Sequence, residues 1–226
     1  MVVPERRPLT DEPVALLVEG ELDQKFLIKL TNQLNLPAKL WIEYVDGVKN
    51  FGKGVANVVN NPAYRNRSLK ILVILGDADD DPTNALDVAR NALIGNGFKP
   101  HENAGALGEA NRYGVRSGVY IFPSATDQGY VEDLFIKGLM TEPDDVMACV
   151  EDVQQTLLDC LFGAGRPIKP HEVSKFKMEL FVLARRGKLP TRALHEIMFN
   201  EDWFPWDSGA FDDIKQFLHM LANAVK

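Results

Sequence analysis

Four aspartates crowd into five positions, Asp77-Ala78-Asp79-Asp80-Asp81, directly after Gly76. Carboxylates that close repel one another and are seldom held together without a cation. Their hard oxygens suit Mg²⁺ or Mn²⁺. The plainer reading is a solvated acidic turn in which Asp81 caps the next helix. The residues before the cluster bear on the choice. Ile71-Leu72-Val73-Ile74-Leu75 is an unbroken apolar run with three β-branched members, which reads as a strand buried on both faces. Such strands belong to parallel sheets, and open parallel sheets bind ligands just beyond the carboxyl ends of their strands.

Elements of the same kind recur on either side. Val14-Ala15-Leu16-Leu17-Val18 is a second apolar run, ending at Glu19-Gly20; Leu40 to Val45 breaks at Asp46-Gly47; Val119-Tyr120-Ile121-Phe122 stops at Pro123. Between them, Leu22, Phe26, Leu27, Leu30 and Leu34 keep helical spacing, as do residues 51–59, 82–93 and 129–139. The order β-α-β-α-β-α-β-α predicts a parallel α/β sheet with right-handed crossovers. Residues 104–118 carry Gly105, Gly108, Gly114 and Gly118 and read as a mobile loop. Beyond residue 140 the pattern is helical, over 142–163, 170–186, 191–199 and 211–224. The expected organisation is a polar tail (1–13), an α/β domain (14–140) and a C-terminal helical region packed on it (141–226).

The formal charge of −7 and a pI of about 5.2 exclude a binder that coats phosphates with lysine. One stretch departs from this balance. From Arg166 to Arg192 there are eight basic residues against Glu172 and Glu179, either a solvated helix face or a surface turned to a polyanion. No apolar run reaches the roughly 18–20 residues of a membrane helix, so no membrane partner is expected. Residues 1–13 lack an apolar signal core, which points to the cytoplasm. Cys149 and Cys160, eleven apart in a predicted helix, read as small core residues in a reducing compartment. The four histidines show no ligand spacing, and Trp203 and Trp206 read as anchors for the last helix.

Three acidic groups thus fall at strand ends or soon after them: Glu19 after the first strand, Asp77, Asp79 and Asp81 after the third, and Glu132 with Asp133 after the last. Leu17-Val18-Glu19-Gly20-Glu21-Leu22-Asp23, taken with Leu75-Gly76-Asp77-Ala78-Asp79, resembles the TOPRIM domain. That domain is shared by bacterial primases, type IA and type II topoisomerases, small RNA-maturation nucleases and the OLD (overcoming lysogenization defect) nucleases. Ile121-Phe122-Pro123 and Gly129-Tyr130-Val131-Glu132-Asp133-Leu134 resemble a segment of small stand-alone TOPRIM-like proteins related to the OLD nuclease domain. The resemblance covers roughly residues 14–140. Many TOPRIM proteins have a glycine soon after Asp-x-Asp; here Asp80-Asp81-Pro82 follows, which leans toward the stand-alone, OLD-like branch.

The resemblance implies a Rossmann-like TOPRIM fold, its mostly parallel central sheet flanked by helices, with a C-terminal helical extension. It implies a divalent-metal-dependent nuclease, acting on DNA or RNA through two Mg²⁺ or Mn²⁺ ions about 4 Å apart. Asp77 and Asp79 would be the core ligands. Glu19 would be a ligand or the general acid/base. Asp81 and Glu132 would complete a second ion site, with Asp133 a weaker contributor. Gly20, Arg112, Arg116 and Lys137 are expected to touch phosphates. The alternative is a non-catalytic metal- or nucleotide-binding module that works with a partner protein. A haloacid-dehalogenase-type phosphatase would need its Asp-x-Asp after the first strand, and a receiver domain would need a lysine after the last; the chain matches neither.

Overall fold

The computed structural model describes residues 8–141, 145–166, 168–187, 199 and 204–225. Four strands run in chain order as β1 (Val14–Val18), β2 (Leu40–Tyr44), β3 (Ile71–Asp77) and β4 (Arg116–Phe122). The helices are α1 (Glu21–Gln33), α2 (Phe51–Asn60), α3 (Pro62–Arg65), α4 (Pro82–Ile94), α5 (Val131–Leu139), α6 (Asp145–Gly163), α7 (Pro170–Arg186) and α8 (Asp212–Asn223). They separate into two compact units, residues 1–128 with 214–226, and residues 129–213.

The first unit is an α/β, Rossmann-like layer structure. All four strands are parallel, in the order β2-β1-β3-β4. The two inner strands are the two unbroken apolar runs, as burial from both faces requires. Every residue of β1 is buried, whereas edge strand β2 buries only Ile42. On one face Ala15, Leu17, Leu72, Ile74, Val119 and Ile121 meet Phe51, Val55 and Val58 of α2 and Ala89 and Leu93 of α4. Across the other, Phe26 of α1 meets Phe122 edge-on at 6.4 Å, and Phe217 of α8 meets Tyr120 at 4.9 Å. Helix α8 is amphipathic and buries Ile214, Phe217, Leu218, Leu221 and Ala222. The last helix thus belongs to the unit built on the sheet, while α5, before residue 140, belongs to the other.

The glycine-rich stretch is not a loose loop. Gly105 N–H donates to Val119 O and Gly108 N–H to Ser117 O, each at 2.8 Å, and Leu107 bridges Gly118 in antiparallel fashion. Two of its glycines answer to close backbone approach. A Cβ on Gly108 would lie 1.9 Å from Lys99 O, and one on Gly118 would lie 2.5 Å from Ala106 O. β4 accordingly begins at Arg116, three residues earlier than its apolar run.

In the second unit the exposed cysteines correct another expectation. Cys149 and Cys160 are solvent-exposed, not core residues; α6 turns Met147 and Val150 inward instead. The interior here is aromatic. Phe204 packs on Phe135, Phe199, Trp206 and Phe211, with ring centroids 4.4–5.8 Å apart. Gly138 of α5 makes room for this cluster, since a Cβ there would meet Phe211 Cζ at 2.9 Å. Trp206 anchors this cluster; Trp203 and the predicted 191–199 helix, Phe199 apart, lie outside the described residues. In the basic stretch, Lys177 pairs with Glu151 at 2.6 Å, and the Arg185 guanidinium lies 5.5 Å over the Phe181 ring. Among the described residues no helix is long and apolar enough to cross a membrane.

Candidate functional site

The carboxyl edge of the sheet carries most of the acids singled out in the sequence. Val18, the last residue of β1, is in register with Leu75 of β3. Glu19 therefore stands level with Gly76, one residue short of Asp77, on a strand that neighbours it at about 4.8 Å. Glu19 and Asp77 are both partly buried, while Asp79, Asp80 and Asp81 are exposed. The inner strand pair thus brings Glu19-Gly20 and Asp77 to the same end of the sheet.

The turn after β3 is built to hold its acids in different roles. Ala78 N–H donates to Phe122 O at 2.7 Å, which ties the turn to the end of β4. Asp81 N–H donates back to Ala78 O at 3.1 Å. Asp79, between them, has φ +50°, a left-handed conformation that aspartate tolerates better than most residues. The Asp80 carbonyl accepts from Gln128 Nε2, and its side chain faces solvent. Asp81 is the N-cap of α4: its Oδ1 accepts from Thr83 N–H and Asn84 N–H, each at 3.0 Å, and Pro82 occupies the first helical position. One oxygen of Asp81 is therefore committed to the helix.

Gly20 precedes α1, and its N–H donates to Asp23 Oδ2 at 2.9 Å. Asp23 is buried, with 6% of its surface exposed, so the protein's own carboxylate already occupies this donor. A phosphate contact at Gly20 would have to displace it.

Among the described residues no three His, Cys, Asp or Glu side chains gather into a group able to hold a metal ion. The donors at this edge are all carboxylates, the right chemistry for a hard cation.

Glu132 lies in the second unit, near the start of α5. It is buried, with 3% of its surface exposed, and Lys175 Nζ lies 3.7 Å from its Oε1. Burial pushes its carboxyl above the ordinary value, against the opposing pull of its own backbone N–H and the Lys175 charge. Asp133 caps the same helix: one oxygen accepts from Tyr130 N–H at 2.8 Å and the other from the Ser174 hydroxyl. Lys137 is exposed on α5.

The two arginines stand elsewhere. Arg116 opens β4 and is paired with Ile71, the first residue of β3, while Asp77 is the last. The strand length puts Arg116 about 20 Å from Asp77, at the amino edge. There its Nε and Nη2 each donate at 3.1 Å, to Gly108 O and Leu107 O. Arg112 precedes it in the same loop, its guanidinium 5.0 Å over the Tyr113 ring. Topology alone requires this placement: a loop that leads into a parallel strand arrives at the amino edge.

The pattern of acids also left unmarked a cavity of about 400 Å³ beside edge strand β2, lined by Trp41, Glu43, Lys53 and Asn57 among others. Glu19, Asp77, Asp79 and Asp81 do not line it, whereas Asp46, just after β2, does.

The profile of a family described as Protein of unknown function (DUF3226) matches residues 13–223. The chain belongs to this family. Its match runs from the residue before β1 to the end of α8 and so takes in both compact units. No curated protein and no solved structure matches the chain.

Proposed function

We propose that the protein is a divalent-metal-dependent phosphodiester hydrolase of the TOPRIM type, acting on nucleic acid from the carboxyl edge of its sheet. The observation that carries this reading is the register of β1 on β3, which brings Glu19-Gly20 and Asp77 to adjacent strand ends. Asp77 and Asp79 are the residues to hold a Mg²⁺ or Mn²⁺ ion. When bound, the ion supplies Lewis-acid stabilisation of the charge that develops on a transferring phosphoryl group. Glu19, partly buried on the neighbouring strand, holds or moves the proton of the attacking water. Asp81 keeps the start of α4 in place through one oxygen and offers the other to the ion or its waters. Glu132, with Lys175 as counter-ion, serves the interior of the second unit.

The alternative reading is a non-catalytic module that binds metal or nucleotide and works with a partner protein. The two separate in a cleavage assay on DNA and RNA with and without Mg²⁺ or Mn²⁺. Wild type cuts and both Asp77→Ala and Glu19→Ala lose the activity if the hydrolase reading is right. A wild type that binds Mn²⁺ and cuts neither polymer establishes the module instead.

A further inference from the structure

The amino edge of the sheet carries a groove of about 950 Å³, within the size range of small-ligand sites. Its lining is basic and aromatic: Arg65, Lys99 and Arg112 with Tyr64 and Tyr113. This is unexpected in a chain of net charge −7.

Its floor is fixed by hydrogen bonds. Asn111 Nδ2 donates to the Tyr64 hydroxyl at 3.0 Å. Asn111 Oδ1 accepts from Tyr113 N–H at 2.9 Å and from Val115 N–H at 3.2 Å. The Tyr64 and Tyr113 rings lie 4.7 Å apart, and Tyr64 also packs on Phe98 at 5.9 Å. Tyr64 is buried and Tyr113 partly so, so the outer ring remains in part accessible.

The cations are exposed and poorly neutralised. Arg65, at the end of α3, reaches only Asn60 Oδ1, at 3.5 Å. Arg112 lies over the Tyr113 ring. Among the described residues neither has a carboxylate within ion-pairing distance. Lys99 has Glu109 at 3.3 Å, with both side chains more than two-thirds exposed, a pair that contributes little.

We propose that this groove is a nucleotide site, in which Tyr113 and the Arg112 guanidinium stack on the base and Arg65 and Lys99 take the phosphate. A flat guanidinium on an aromatic ring is a platform for another π-face. Exposed cations, Arg65 with no carboxylate in reach among the described residues and Lys99 in a weak exposed pair with Glu109, recognise a phosphate through charge-assisted hydrogen bonds. The site is independent of the hydrolase reading, because it stands at the opposite edge of the sheet.

Isothermal titration calorimetry on the full chain tests it, with AMP, GMP, CMP and UMP as probes beside adenosine, inorganic phosphate and a short single-stranded oligonucleotide. At least one nucleotide should bind more tightly than adenosine and phosphate do. Arg112→Ala and Arg65→Ala, both exposed and safe for folding, should each weaken it about tenfold or more, as loss of a charge-assisted contact does. Arg112→Lys, which keeps the charge and loses the plane, should recover only part of that loss. The proposal is overturned if no nucleotide outdoes both fragments, if the two alanine variants bind as wild type does, or if only the oligonucleotide binds.

Discussion

The two edges of one sheet have opposite character. At the carboxyl edge, short turns leave two inner strands and present Glu19, Asp77, Asp79 and Asp81. At the amino edge, the returning helices and the 104–118 loop gather Arg65, Lys99 and Arg112 around tyrosines. The difference follows from connectivity. Every crossover helix begins at the carboxyl edge and ends at the amino edge. The helix dipole therefore presents its positive end to the acids and its negative end to the bases. A chain with an acidic average thus carries two sheet edges of opposite charge, which the average alone does not show.

Separate variants should take the two edges apart. Asp77→Ala should lower metal-dependent cleavage by at least about 100-fold, since even residues that merely orient metal ligands cost 10–100-fold when lost. Nucleotide affinity at the amino edge should stay within error of wild type. If both fall together, the edges are coupled or the variant is misfolded, which circular dichroism distinguishes.

Gly108→Ala should act the other way. Its Cβ would be driven into the Lys99 carbonyl, so the loop must shift, at a cost of about 1–3 kcal/mol for forced overpacking. Denaturant unfolding should show that loss, and nucleotide binding should weaken, while the stabilisation by Mn²⁺ persists. A smaller effect is expected from Asp81→Ala. Losing this N-cap should cost about 0.5–2 kcal/mol, read as a lower denaturation midpoint, with the Mn²⁺ response kept because Asp77 and Asp79 remain.

The smallest effect concerns the second unit and sets a baseline for both edges. Burial holds Glu132 above its ordinary value of 4.5, so the folded state keeps this proton more tightly than the unfolded chain does. Its favourable contribution is complete below that ordinary value and is lost as pH rises through the raised one. Wild type should therefore lose more stability than Glu132→Gln between acid and neutral pH, measured by denaturant midpoints. Equal slopes would mean that Lys175 offsets the burial in full.

Much of this was legible in the sequence, and the failures have physical causes. The two inner strands announced themselves because burial on both faces demands unbroken apolar runs, and Asp81-Pro82 announced the start of α4 because an N-cap and a proline at N1 are local chemistry. Membership of the α/β class followed from the alternation of elements. The glycine-rich stretch misled because a glycine needed for close approach, as Gly108 and Gly118 are, or for a left-handed turn, as Gly105 and Gly114 are, looks the same as one in a loose loop. The start of β4 at Arg116-Ser117-Gly118 carries no apolar pattern. Cys149 and Cys160 were misjudged because α6 has apolar residues on several faces, Val153 and Phe162 being exposed as well. Arg112 and Arg116 were grouped with the aspartates although the order of strand and loop already sent them to the other edge. The signal for the amino-edge groove was there too, in bases clustered just before strands.

The central claim is that the carboxyl edge holds a divalent ion through Asp77 and Asp79. It is tested most directly by the thermal midpoint of the full chain with and without Mn²⁺. At an ion concentration 100 times Kd, wild type should gain about 2.7 kcal/mol, seen as a rise of several degrees. Asp79→Ala should show no rise, while Asp81→Ala should still show one. A wild type that does not respond to Mn²⁺, or an Asp79→Ala variant that responds as fully as wild type, would contradict the account.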